Sequence, residues 1–315
     1  MKRLVASHSS RRTPRTVLPN PAQTLAAHRE KPIHELFSAQ AQLRHDQTAV
    51  ADTRESWSLS GVGFSRPTSL ANYLRAAGIR TGDVVAIYGH RSVALVWAML
   101  AVLKAGAVFM ILDPDYPVER LMSCLEIAAP RGWLQLEAAG ALPGDSGSIC
   151  RDAGRLSSGV THAAGSVISD LLASYSIESP QVSIGADDLA YIAFTSGSSG
   201  KPKGVMGRHG PLTLFTSWAI GEFRLNQRDR FCMLSGLAHD PLHRDIFTPL
   251  QLGGTVCIPD QQDHRIAGAP ASVDEAGEDN GRKPDAGDEP AAERRRYRLT
   301  NRLNRCATRS WLAMC

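Results

Sequence analysis

Residues 1–32 are polar, basic and punctuated by proline, and they predict a poorly ordered lead-in. A helical period begins at Ile33 and runs to Leu43, with Ile33, Leu36, Phe37 and Leu43 on one face. Ser69 to Ala77 predicts a second helix, closed by Gly78. The pattern then alternates between strand and helix. Gly82-Asp83 turns into a strand at Val84–Tyr88, and Ser92 precedes an apolar helix at Val93–Lys104. Gly106 ends that helix and a strand follows at Ala107–Leu112. Strands this continuous in Val, Ile and Phe fit a parallel sheet covered on both faces. Asp113-Pro114-Asp115-Tyr116-Pro117 predicts a turn, and Val118–Ala128 another helix. Glu137 to Ser166, rich in Gly, Ser and Ala, reads as a surface connection. Asp187-Asp188 lead into a strand at Leu189–Phe194, then a Gly/Ser loop, then further alternation to Pro259. The fold class is α/β, and no internal repeat is visible.

After Gln261 the pattern fails. Apolar residues nearly vanish until Trp311, Gly, Ala, Asp, Glu and Arg dominate, and no period of 2 or 3.6 survives. This stretch predicts a disordered tail. It also carries ten of the 35 basic residues, so the formal charge of +4 over 315 residues is partly a property of the tail. Such a small excess does not point to nucleic acid. With 43% hydrophobic and 21% charged residues, the chain has an ordinary globular composition. The longest charge-free apolar stretch, Val93 to Leu103, is too short to cross a bilayer, which takes about 20 residues. The basic N-terminus leads into no apolar segment of a secretory signal. Cys124, Cys150, Cys232, Cys257, Cys306 and Cys315 show no metal-ligand spacing and read as reduced thiols. A cytoplasmic protein without membrane or nucleic-acid partners is expected.

One segment carries chemistry. Thr195-Ser196-Gly197-Ser198-Ser199-Gly200-Lys201-Pro202-Lys203-Gly204 follows a buried strand directly. Hydroxyl side chains, glycines that let the backbone approach and two lysines make a cradle for phosphate oxygens. It is not a Walker A loop, because the Gly197–Gly200 spacing is too short and Pro202 stands where a Ser or Thr should follow the lysine. Gly61-Val62-Gly63 lacks the third glycine and the preceding strand of a dinucleotide-binding turn. A linker of the same composition would have neither the entering strand nor the Lys-Pro-Lys-Gly exit.

Tyr191 through Val205 resembles the phosphate-binding signature of adenylate-forming enzymes, T-S-G-[ST]-[ST]-G-x-P-K-G. Leu103-Lys104-Ala105-Gly106-Ala107 with Asp113-Pro114-Asp115-Tyr116-Pro117 resembles a block of the amino-acid-activating domains of nonribosomal peptide synthetases. Met233 to Pro241, continuing through Arg244 to Leu250, is most similar to the branch holding aminoadipate reductases. The resemblance covers about Ile33 to Asp260. It implies activation of an amino acid by ATP and Mg²⁺: its carboxylate attacks the α-phosphate to give an aminoacyl-adenylate and pyrophosphate. A carrier thiol then takes the acyl group, its phosphopantetheine borne on a separate carrier protein or carrier domain. Such chemistry rests on positioning and charge stabilisation.

By this resemblance Thr195, Ser196, Ser198 and Ser199 contact the β- and γ-phosphates, with Gly197, Gly200 and Gly204 shaping the loop. Lys203 and Thr195 are the catalytic candidates, and Lys201, at the family's variable position, reads as solvated. Losing one such contact would cost ~3 kcal/mol of transition-state stabilisation. Asp240 would hold the substrate's α-ammonium, which selects amino acids over fatty acids; the other reading is a helix N-cap before Pro241. His239 either nears the phosphates or packs. Asp245 reads as structural. No metal ligand is assigned.

The expected organisation is a lead-in at 1–32, a partial adenylation domain at 33–263 and an aberrant tail at 264–315. The fold implied is the N-terminal large subdomain of an adenylate-forming enzyme, layered sheets flanked by helices, incomplete and without the C-terminal cap. No adenine-binding segment, ribose-binding aspartate or cap lysine can be found after Asp260, so weak or absent turnover is expected of this chain. Phe64 to Leu70 is shorter than the family's first helix block. One reverse translation of residues 264–291, read one base later, yields the family-like run T-G-S-P-G-R-L-P-Q-W-M…V-A-N-L-T-P-A-M, so a frameshifted tail is a further expectation. The alternatives are a fragment of an acyl- or aryl-CoA ligase and a non-catalytic remnant.

Overall fold

The computed structural model describes residues 31–52, 56–59, 62–136, 139, 160–162, 172–196 and 202–259. The lead-in through residue 30, most of the 137–166 connection, the loop 197–201 and the tail from Asp260 lie outside the described residues. Among these residues the chain runs α1 (Ile33–Leu43), β1 (Thr48–Ala51), β2 (Ser56–Ser58), α2 (Val62–Ala76), β3 (Val84–Tyr88), α3 (Val93–Lys104), β4 (Val108–Leu112) and α4 (Val118–Ala128). It continues through β5 (Gly132–Leu136), β6 (Val160–His162), β7 (Leu189–Ser196), β8 (Pro202–Arg208), α5 (His209–Glu222), β9 (Arg230–Cys232), α6 (Pro241–Leu252) and β10 (Thr255–Cys257).

Two sheets result. The larger has the order β6-β5-β3-β4-β7-β8, parallel except for the β7–β8 hairpin at its edge. Its strands alternate faces with period 2. Val85, Ile87, Phe109 and Ile111 enter one core with α3 and α6. Ala86, Tyr88, Met110 and Leu112 enter a second core under α4. Both faces are covered, as the sequence predicts, and β4 is buried throughout.

Helix α3 owes its limits to local chemistry. The Leu95 N–H donates to Ser92 Oγ at 3.2 Å, satisfying one otherwise orphaned group of the first turn. Gly106, at φ +78, supplies the left-handed turn that returns the chain to β4.

The second sheet, β2-β1-β10-β9, is not read from the sequence at all. Its parallel pairing sets Val50 opposite Val256, two segments far apart in the chain. A further correction concerns α2. The helix spans Val62–Ala76, longer than the expected Ser69–Ala77, and contains Pro67. Leu70, Ala71 and Leu74 are buried where α2 packs on α3, and that packing outweighs the weak helix propensity of Gly63 and Pro67. Among the described residues no helix is long and apolar enough to cross a membrane. Cys124 and Cys257 are buried and Cys232 is half-buried.

Candidate functional site

The β7–β8 hairpin brings the site together. Its register sets Thr195 opposite Lys203, Ala193 opposite Val205 and Tyr191 opposite Gly207. Directly paired residues project to the same side, so Tyr191, Thr195 and Lys203 share one face. Thr195 and Lys203 are both exposed. A hydroxyl and an ammonium side by side on an exposed strand end suit an anionic phosphate. Gly204 faces the other way; a Cβ there would meet Ile192, Phe194 and Ile127 at 3.5–3.6 Å. Gly197, Ser198, Ser199, Gly200 and Lys201 lie outside the described residues, and for Ser196 only the backbone is described.

Gly207 is what lets this face take its shape. A Cβ at that position would overlap the Tyr191 ring at Cζ, so the missing side chain makes room for the phenol to lie across β8. From there Tyr191 reaches Asp240: the hydroxyl donates to Asp240 Oδ1 at 2.6 Å.

Asp240 stands at the start of α6, in a helical conformation of φ −51 and ψ −39, and its side chain makes no capping hydrogen bond. Asp240 thus occupies the N-cap position ahead of Pro241, as the alternative reading expects, but its carboxylate is turned away from the helix's first N–H groups. Its carboxylate lies 3.4 Å from His243 Nδ1 through Oδ1, while the side chain stays 71% exposed. The His243 contact and then the Tyr191 hydroxyl hold this carboxyl down at about 2, against the opposing effect of partial burial. By distance the Tyr191 hydroxyl is the tighter partner.

His243 is buried between aromatic rings. Its centroid lies 3.8 Å from Tyr191, 5.4 Å from Phe109 and 6.2 Å from Phe247. Desolvation drives its pKa down and outweighs the nearby carboxylate, which leaves a neutral imidazole. Its contact with Asp240 is thus a hydrogen bond rather than an ion pair. Burial, then the bond to Asp240, pushes the Tyr191 phenol up. The sequence reading missed both residues. The signals were position: Tyr191 shares the strand face of Thr195, and His243 follows Asp240 by one helical turn.

The other candidates separate. His239 is exposed and folds back over Gly236, where a Cβ would meet its Nδ1 at 2.5 Å. The backbone N–H of His239 donates to the Gly236 carbonyl at 3.0 Å. Asp245 is buried and structural: Oδ2 accepts the Ser235 N–H at 3.0 Å and Oδ1 accepts Arg244 Nε and Nη2, each at 3.2 Å. Arg91 Nη1 donates to the Met233 carbonyl at 3.0 Å. These contacts pin the 233–239 loop beside α6.

His90, Asp113 and Asp115 gather at the carboxyl ends of β3 and β4, each offering one donor atom within 4.8 Å of the others. Ligands of open α/β sheets sit at this edge. A mixed nitrogen and carboxylate set does not match the oxygen octahedron Mg²⁺ demands, so these residues are assigned no magnesium role.

A model of the AMP-binding enzyme family matches residues 37–275. The chain belongs to that family. As an AMP-binding domain it is similar to the L-2-aminoadipate reductase large subunit of Eremothecium gossypii, 36% identical over 282 residues. That match covers 82% of this chain and 20% of the relative, so the chain spans about a fifth of that curated relative's length. It is also similar to the AMPPNP-bound form of the nonribosomal peptide synthetase FmoA3, with TM-score 0.59 and 28% identity over 72% of this chain and 22% of that one. The N-terminal subdomain of Klebsiella oxytoca NpsA shares the fold, with TM-score 0.57 and 22% identity over 73% of this chain and 53% of that one. This AMP-binding domain is thus of the adenylate-forming type, and its sheets flanked by helices are those of the N-terminal subdomain.

Proposed function

We propose that the domain activates the carboxylate of an amino acid as an aminoacyl-adenylate for transfer to a carrier thiol. The observation that carries this reading is a shared face: Thr195 and Lys203 stand on the side of the β7–β8 hairpin from which Tyr191 reaches Asp240. At about 3.3 Å per residue, Tyr191 and Thr195 are roughly 13 Å apart along β7, room for an amino acid and the start of a nucleotide. ATP, accompanied by Mg²⁺ on its phosphates, supplies the adenylyl group and the pyrophosphate leaving group.

The residues divide the work. Lys203 sets a cation, and Thr195 a hydroxyl donor, beside the phosphates as negative charge builds on the departing pyrophosphate. Ser196 and the 197–200 loop complete the cradle. Asp240, ionised at every physiological pH, takes the substrate's ammonium and so leaves the carboxylate end toward the nucleotide. Desolvating the ammonium beside one carboxylate discriminates against acids that lack it. The thiol acceptor belongs to a phosphopantetheine of a carrier protein or domain. L-2-aminoadipate, named in the relatives, is the first substrate to try. Low turnover is expected of the 315 residues by themselves.

Exchange of labelled pyrophosphate into ATP tests the reading. Exchange that depends on amino acids and falls about a hundredfold in Lys203→Ala is the expected outcome. Exchange driven by fatty or aryl acids instead would favour an acyl- or aryl-CoA ligase. No exchange with any acid, together with no ATP-dependent thermal stabilisation, would mark a non-catalytic remnant.

A further inference from the structure

We propose that Tyr191 and His243 are positioning residues that clamp Asp240 by one carboxylate oxygen and so present the other to the substrate's ammonium. The inference rests on the reading of Asp240 given above and extends it to two residues with no assigned role.

Both contacts fall on the same atom. The Tyr191 hydroxyl donates to Oδ1 at 2.6 Å, and His243 Nδ1 lies 3.4 Å from that oxygen. Among the described residues Oδ2 accepts no hydrogen bond, and the side chain is 71% exposed. An aspartate in such an open position would ordinarily turn about its side-chain torsions and pair with solvent. Held at one oxygen by groups that are themselves fixed, it keeps a single orientation and loses little freedom when a ligand arrives.

The clamp is rigid because its own parts are packed. The Tyr191 ring lies over β8 where Gly207 leaves space, and stacks on Phe109 with centroids 6.0 Å apart. His243 is wedged between Tyr191, Phe109 and Phe247. Charge follows the same logic. A protonated imidazole beside Asp240 would compete with an incoming ammonium, whereas the buried neutral ring donates one hydrogen bond and leaves the full negative charge for the ligand. A phenol likewise adds a donor without adding a cation. The arrangement is thus suited to a cationic ligand group.

Two measurements on the 315-residue chain test the clamp. The first follows the Asp240 carboxyl carbon by NMR through an acid titration in wild type, Tyr191→Phe and His243→Gln. Wild type should titrate near 2, and each variant should move up toward the ordinary value of about 3.9. An unmoved titration in both variants overturns the clamp. The second compares, by calorimetric titration, the affinity for L-2-aminoadipate with that for adipate, which lacks only the amine. The wild-type preference for the amine should fall roughly tenfold in Tyr191→Phe and in His243→Gln. Equal weakening of both ligands would reveal a merely structural role and overturn the proposal. A preference retained in both variants but lost in Asp240→Asn would overturn the clamp while the reading of Asp240 stands. No preference in wild type, or one that survives Asp240→Asn, would overturn that reading and the clamp with it.

Discussion

Buried histidines occur in two settings in this molecule, and the contrast separates site from scaffold. His243 lies beside an exposed carboxylate and shares a hydrogen bond with it. His34 on α1 and His209 at the start of α5 instead meet each other edge to face, with centroids 5.6 Å apart. Among the described residues neither Nδ1 has a hydrogen-bond partner. Lys104, 3% exposed at the end of α3, closes the group and donates to Thr68 Oγ1 at 3.1 Å. Burial drives His34 to about 3, helped by His209 and Lys104, and drives His209 to about 4 against the pull of Asp188. The helix N-terminus at His209 also disfavours an imidazolium there. A neutral ring turned toward an open carboxylate can serve a ligand. A neutral pair enclosed by helices only fills space, and its cost appears when protons are added.

That cost gives the largest expected effect. The unfolded chain protonates both histidines near pH 6.5, whereas the folded chain resists until about 4 and 3. Between those values the unfolded state binds more protons, so stability is full above pH 6.5 and drains away as pH falls. Each histidine contributes up to about 1.4 kcal/mol per pH unit across its window. Urea unfolding of wild type at pH 7 and pH 4.5 should differ by on the order of 4 kcal/mol. His34→Gln should remove about half of that difference. A wild-type stability that is flat over this range would show that the pair is already solvated.

The next effect reaches the site through the strand beneath it. Gly207→Ala places a methyl where the Tyr191 ring lies, and neither the backbone of β8 nor a ring stacked on Phe109 and packed against His243 can easily give way. Overpacking of this kind costs about 1–3 kcal/mol. Thermal unfolding should report that loss, and the Asp240 carboxyl should titrate higher because Tyr191 no longer reaches it. A variant as stable as wild type, with Asp240 unmoved, would mean that the phenol has another berth.

The same contrast explains what could be read from the amino acids. Helices α1, α3 and α4 have the bounds their periodicity predicts: α3 is framed by its Ser92 cap and Gly106 turn, and α1 and α4 start directly after Pro32 and Pro117 with an apolar face to bury. Strands β3 and β4 announce themselves as unbroken apolar runs. The small sheet does not, since β2, β9 and β10 are three residues long and owe their existence to partners distant in the chain. Thr195 and Lys203 stand out as candidates through the chemistry of a phosphate loop, and Asp240 through the resemblance to amino-acid-activating domains. Tyr191 and His243 do not, because an aromatic in a strand and a histidine on a helix look like ordinary core. Only the hairpin register and the fold of α6 against β7 bring them to Asp240. Lys104 gives no such signal either: it ends α3 in the sequence pattern, and only the packing shows it buried against Thr68.

The smallest expected change in stability falls at Lys203, and it sharpens the distinction most. The side chain is exposed opposite Thr195 on the edge strand β8, with no core contact to lose. Lys203→Ala should therefore alter the unfolding free energy without nucleotide by no more than about 0.5 kcal/mol. Ligand binding to the native state raises stability in proportion to the logarithm of its saturation, so the increment produced by adding ATP reports affinity separately from folding. In wild type that increment should be measurable. In Lys203→Ala it should shrink while the nucleotide-free value stays put, as expected of a residue that holds phosphate rather than strand. If instead both values fall together, Lys203 supports the hairpin, and the phosphate contact has to come from the loop that joins its strands.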